Sequence, residues 1–167
     1  MSLFVPSMYV NGVMDINIDL LRDMNIKGII LDVDDTIAEH GSQVPFRGVT
    51  DWILKLKNYG IKIIILSNNL KKRVKPFAEK VGIPFVSVGL KPAPFGIIKA
   101  LRKISLNKEE VVMVGDQIFT DILGANIYGL KSILIEPIGE PKSINLKMKR
   151  KFEKRIKQKL KSQFLMK

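Results

Sequence analysis

Five short runs rich in β-branched residues recur along the chain: GIILDV (28–33), IKIIILS (61–67), IPFVSV (83–88), EVVMVGD (110–116) and SILIE (132–136). Runs of this length and near-continuous apolarity suit strands covered on both faces. Segments with helical periodicity lie between them, at 48–58, 70–81, 94–104 and 120–128. That alternation is the pattern of successive βα units on a parallel sheet, so the expected architecture is α/β. It has three layers, a Rossmann-like arrangement and five mainly parallel strands. Gly60, Gly82 and Gly129 follow three of the helical segments and suit left-handed C-caps. Pro76 lies inside the second and is expected to shift its start or kink it. The first 25 residues read as a lead-in, broken at Pro6 and carrying a short helix over 19–25.

Composition narrows the chemistry. The 167 residues contain no Cys and one His, His40, which excludes thiolate metal sites, disulfide scaffolds and a Cys nucleophile, and argues against a His-dependent triad. His40 reads as a surface loop residue. The net charge of +12 is unevenly spread: residues 1–141 carry +2, and residues 142–167 carry +10, with eleven basic side chains against one acidic. The expected organisation is therefore a globular domain over 1–141 and a basic amphipathic helix or tail over 142–167. In the tail, Met148, Phe152, Ile156 and Leu160 follow a four-residue spacing that predicts one narrow apolar face. No apolar run reaches the roughly 18 residues of a membrane-spanning helix, and no signal-peptide pattern opens the chain, so a cytoplasmic location is expected.

Sites in parallel α/β sheets form beyond the carboxyl ends of the strands. Here the first run ends in Asp32-Val33-Asp34-Asp35-Thr36, the second in Ser67-Asn68-Asn69, the third leads through Gly89 to Lys91, and the fourth ends in Gly115-Asp116 with Asp121 beyond. These groups suit phosphoryl transfer. A carboxylate can attack phosphorus and split hydrolysis into two easier steps. A second Asp two residues on can protonate the leaving oxygen and then deprotonate water. A hydroxyl and an ammonium can grip phosphoryl oxygens, and clustered acids call for a hard divalent cation, Mg²⁺ above all. With 9 Asp and 3 Thr, the pattern Asp-x-Asp-x-Thr is expected only about 0.01 times by chance.

LDVDDTI (31–37), ILSNN (65–69), LKP (90–92) and VGDQIFTD (114–121) resemble, in order, the four motifs of the haloacid dehalogenase (HAD) superfamily. The resemblance implies Asp32 as nucleophile and Asp34 as general acid and base. It implies Ser67 and Lys91, with Asn68 beside Ser67, as phosphate ligands. A magnesium site would draw on Asp32, the main-chain carbonyl of Asp34, Asp116 and Asp121. Asp35 stands where many members have Gly or Asn. The intervals from Thr36 to Ser67 and from Ser67 to Lys91 hold only one helix and one strand each, which leaves no room for a cap domain.

The whole chain further resembles the YqeG-type HAD subfamily IIIA phosphatases. FVPSMYV, KGIILDVDDT, LSNN, VGIPFVSVGLKP, GDQIFTD and FEKRI carry that match. This group is similar to the mitochondrial phosphatidylglycerophosphate phosphatases. The implied substrate is a phosphate monoester on an anionic phospholipid headgroup, met at the inner membrane face through contacts that include 142–167. Two other readings stand beside it: a phosphatase of soluble sugar or nucleotide phosphates, and a basic RNA- or ribosome-binding module on a HAD scaffold. The tail itself suits packing on its own domain, a membrane surface or nucleic acid. The sequence leaves the oligomeric state open.

Overall fold

Ile29, Ile30 and Leu31 are wholly buried, as are Ile64, Ile65 and Leu66 and the run Val111–Val114. Strands of this kind must be covered on both faces, and a computed structural model of the chain, describing residues 3–138 and 144–165, shows how. Six parallel strands form one sheet: β1 (Met8–Val10), β2 (Gly28–Leu31), β3 (Lys62–Leu66), β4 (Phe85–Val86), β5 (Val111–Gly115) and β6 (Lys131–Ile135). Their order is β1-β6-β5-β2-β3-β4. The helices are α1 (Ile18–Asp23), α2 (Val49–Asn58), α3 (Lys71–Val81), α4 (Phe95–Ile104), α5 (Leu123–Tyr128) and α6 (Ile144–Leu165).

Side chains alternate across the sheet, so each strand feeds two cores. Ile29, Leu31, Ile63 and Ile65 face α2, α3 and the lead-in, packing with Trp52, Ile53, Phe77 and Leu21. Ile30, Ile64, Leu66 and Met113 face the other way, onto Ile97, Leu101 and Ile104 of α4 and Ala125 of α5. The three layers expected from the sequence are present, and no cap domain occurs among the described residues.

Three details differ from expectation. The sheet has a sixth strand, because Met8, Tyr9 and Val10 of the lead-in pair with Ile133, Leu134 and Ile135 at the sheet edge. Three residues, half-buried at an edge, are too few to show a period. The predicted 120–128 helix opens instead as a π-helical turn, Ile118–Ile122, before α5. Pro76 does not delay the start of α3, which begins at Lys71, one residue from expectation, and runs through the proline to the left-handed Gly82.

The tail forms α6, but its apolar stripe does not make one face. A four-residue step advances about 400°, so each successive stripe residue drifts by roughly 40° around the helix. Leu160 and Ile156 pack on Ile118, Ile122, Leu134 and Tyr9, while Met148 and Phe152 are exposed. The face turned inward instead carries Glu153, Lys157 and Leu160, at true helical spacing. Pro141 and the first and last residues of the 142–167 segment lie outside the described residues.

Candidate active site

The chain runs from β2 to β3 and β4 on one side, then returns to β5 and β6 on the other. The crevice between β2 and β5 is therefore the topological switch point, where α/β sheets bind ligands. Leu31 pairs with Val114, and the Asp32 amide extends that ladder by donating to the Val114 carbonyl at 2.9 Å. This register puts Asp32 and Asp116 side by side at the mouth of the crevice. Asp121 joins them from the π-helical turn. One carboxylate oxygen from each of the three lies within 4.8 Å of the others, and all three residues are buried.

Gly115 makes that convergence sterically possible. A Cβ at this position would stand 2.2 Å from Asp121 Oδ2 and 2.4 Å from its Cγ. Asp121 is held there by Lys91 Nζ, which donates to Oδ1 at 2.7 Å, and by the Gln117 amide, which donates to Oδ2 at 3.2 Å. Lys91 Nζ also donates to Asp32 Oδ1 at 2.5 Å. Lys91 thus bridges two of the three acids from the loop after β4. Asn68 fixes that loop, its Oδ1 accepting from the Lys91 amide at 2.8 Å and its Nδ2 donating to the Lys91 carbonyl at 3.0 Å. The Asn68 side chain thus clasps the Lys91 backbone through both its polar atoms.

Ser67 is buried at the end of β3, the neighbour of β2, with its hydroxyl accepting from the Asn69 amide at 3.2 Å. Asp34 is not part of the three-acid cluster. Its carboxylate accepts from the Gly41 amide at 2.9 Å, Asn69 Nδ2 at 2.6 Å and an Arg73 guanidinium nitrogen at 3.0 Å. His40 is an exposed loop residue, and its amide donates to Asp35 Oδ1 at 3.2 Å.

Electrostatics follow from one ammonium facing three buried acids. Burial, with Asp121 adding to it and Lys91 opposing it, pushes Asp32 up to about 7. Asp116 is driven well above the carboxylate range by burial and by the charges of Asp121 and Asp32. Burial pulls Lys91 down, but the two carboxylates it touches more than offset this and keep it an ammonium. Three buried carboxyl groups served by one ammonium, all of them hard oxygen donors, fit a divalent cation such as Mg²⁺, whose binding would displace their protons.

Sequence reasoning missed the contribution of α6. Lys157 Nζ donates to the Asp116 carbonyl at 2.6 Å, and Glu153 accepts from the Phe119 amide at 3.2 Å. Arg150 pairs with Asp35 Oδ2 at 2.9 Å and stands 4.0 Å from Asp116 Oδ2. Asp35 has φ of 60°, a left-handed conformation that short polar side chains tolerate, which turns its carboxylate toward the helix. In a segment with eleven cations, nothing distinguished the inward-facing ones except the 150/153/157/160 spacing.

The family model of the mitochondrial PGP phosphatases matches residues 1–139. The chain belongs to that family. The probable phosphatase YqeG of Bacillus subtilis is 37% identical over 153 residues, spanning 92% of this chain and 89% of the relative. The mitochondrial phosphatidylglycerophosphatase GEP4 of Saccharomyces cerevisiae is 29% identical over 168 residues, spanning 93% and 88%. Among solved structures, NagD of Escherichia coli superposes with a TM-score of 0.57 at 15% identity, over 69% of this chain and 90% of that one. That likeness shows the HAD fold. The family member described here is a HAD-type phosphatase, a hydrolase of phosphoric monoesters.

Proposed function

We propose that this phosphatase hydrolyses the terminal phosphate of phosphatidylglycerophosphate, or a closely related anionic lipid monoester, through an aspartyl phosphate on Asp32. The observation that carries the reading is the Asp32 carboxylate at the switch point, bridged by Lys91 to a second acid. The lipid substrate is drawn from the family and from the yeast relative. No helix among the described residues is long and apolar enough to cross a membrane; in this reading the lipid is met at the bilayer surface.

An Asp32 oxygen attacks phosphorus as the bond to the glycerol oxygen breaks, and that oxygen takes a proton from the Asp34 carboxyl. Water then attacks the phosphoryl group, giving a proton to Asp34 and releasing Asp32 and inorganic phosphate. Lys91, freed from its carboxylates by the incoming anion, and Ser67 hold the phosphoryl oxygens. Arg73 pairs with Asp34 before substrate arrives. An anionic headgroup offers Arg73 another partner and leaves Asp34 able to accept a proton.

A divalent cation held by Asp32, Asp116 and the Asp34 carbonyl, with Asp121 beside them, would screen the charge between carboxylates and phosphate. In this reading residues 1–141 form the phosphatase domain, and the 142–167 tail steadies the Asp116 strand end through Lys157. Phosphate release from phosphatidylglycerophosphate in mixed micelles, set against soluble sugar and nucleotide monophosphates, tests the substrate. Higher kcat/KM on the lipid is expected; preference for a soluble ester overturns it.

A further inference from the structure

Leu70, Val88, Leu90 and Phe95 are 59%, 48%, 58% and 68% exposed, a concentration of large apolar side chains that stability does not explain. They sit together. The Val88 amide donates to the Asn69 carbonyl at 2.9 Å, which joins the loop after β4 to the loop carrying Leu70. Gly96 lies so close to Gly89 that an added Cβ would stand 2.4 Å from the Gly89 carbonyl oxygen, which brings Phe95 against the same loop. Val88 and Leu90 both adopt left-handed φ, 52° and 56°, a strained conformation for such residues. Both residues lie in one loop, which presents apolar side chains to solvent and ends at Lys91.

Beside this rim lies an open groove of about 720 Å³ lined by Lys71, Lys75, Lys99, Arg102, Lys103 and Phe85. The register ties groove to rim: Lys71 follows Leu70, and Lys99 and Arg102 lie one and two turns below Phe95 on α4. At 5.4 Å per turn, the cations stand about 6–11 Å behind the apolar tip.

We propose that this rim and its cationic groove dock the enzyme on an anionic bilayer, with Leu70, Leu90 and Phe95 entering the interface and the groove cations engaging headgroups. The docking surface rests on the lipid reading above and locates where it is met. Apolar tips backed by Lys and Arg are the chemistry of peripheral membrane contact. A second copy of the chain is the poorer occupant, since five cations would face their own kind. The geometry also delivers substrate: Asn68, two residues before Leu70, clasps Lys91, so a headgroup arriving at the rim enters beside the phosphate-gripping ammonium. The α6 stripe is split, with Ile156 and Leu160 turned inward and Met148 and Phe152 exposed, against four exposed apolar side chains at the rim, which makes the rim the primary contact.

The test is co-sedimentation of the full chain with phosphatidylcholine vesicles, with or without roughly one-third phosphatidylglycerol, alongside turnover of p-nitrophenyl phosphate. Wild type should bind the anionic vesicles and not the zwitterionic ones. Leu70→Ser/Phe95→Ser should weaken that binding at least about 10-fold through lost apolar insertion. Lys99→Gln/Arg102→Gln should weaken it about 25-fold, from roughly 5-fold per cation. Both pairs should leave aryl phosphate turnover unchanged, and Met148→Ser/Phe152→Ser should leave vesicle binding unchanged. Wild-type affinity in both rim pairs, or loss in the Met148/Phe152 pair alone, overturns the assignment. So does an oligomer abolished by Leu70→Ser/Phe95→Ser, or RNA binding in place of vesicle binding. Hydrolysis of micellar phosphatidylglycerophosphate without vesicle binding sinks the docking surface and spares the substrate. Rim-dependent vesicle binding without lipid hydrolysis does the reverse.

Discussion

Replacing Gly115 by Ala inserts one methyl group where the structure has no space for it. The new carbon would lie 2.2, 2.4 and 2.8 Å from Oδ2, Cγ and Cβ of Asp121, so the whole carboxylate must retreat by about 1 Å. It cannot do so freely. Retreat breaks the hydrogen bond from Lys91 Nζ at 2.7 Å and strains the one from the Gln117 amide. Hydrogen bonds to charged groups contribute about 1.5–3 kcal/mol each, and overpacking of a tight interior about 1–3 kcal/mol. A net loss of about 3 kcal/mol is expected, or roughly 6–12 °C in Tm for a domain of this size. Urea unfolding with and without Mg²⁺ reads the stability, and aryl phosphate turnover reads the site. Gly12→Ala is the control, since a Cβ there meets nothing within 4 Å. A Gly115→Ala protein as stable and as active as Gly12→Ala would refute the steric account of how Asp121 is placed.

Asp32→Asn should lower turnover by at least about 10³-fold while circular dichroism stays unchanged, since it removes the nucleophile and leaves the backbone ladder intact. Asp34→Asn should depress hydrolysis of alkyl phosphates more than that of an activated aryl phosphate, because only the alkyl leaving group needs a proton; equal losses would rule out the acid role. With no cation bound, Asp32 and Asp116 hold protons that the unfolded chain releases above 3.8; the stabilising contribution of Asp32 is full below that pH and is lost as pH rises through about 7, and that of Asp116 falls in the same direction. Cation binding displaces those protons, so the Mg²⁺-induced rise in Tm should be larger at about pH 8 than at about pH 5.5; a pH-independent rise would count against the carboxylate site. Lys157→Met should cost about 1.5–3 kcal/mol in urea unfolding, and Leu160→Ala about 2–5 kcal/mol; neutrality of both would mean α6 does not dock as described.

The inner strands were legible because burial on both faces leaves uninterrupted apolar runs, and the motif residues because each lies at the end of such a run or in the loop just beyond it. Asp32, Lys91, Asp116 and Asp121 converge as their order along the chain implied, since a parallel sheet brings every strand's carboxyl end to one edge. Long-range partnerships were not legible. Asp34 finds Arg73 thirty-nine residues away, and the Asn68 side chain turns to the Lys91 backbone, because loops set those contacts and loops carry no period. β1 escaped notice because three edge residues make no pattern. The tail misled because a four-residue spacing looks like a stripe over two turns and becomes a spiral over four. Its inward face holds Glu153 and Lys157, charged residues that composition alone assigns to solvent.

The nucleophilic role of Asp32 is tested most directly by acid-quenching the enzyme during turnover and mapping phosphoryl groups on its peptides. A phosphoryl adduct on the peptide carrying Asp32, absent from Asp32→Asn and lost on alkaline treatment, is the expected result. An unmodified Asp32 peptide when water attack is made the slow step of turnover, or an adduct on another residue, would contradict the account.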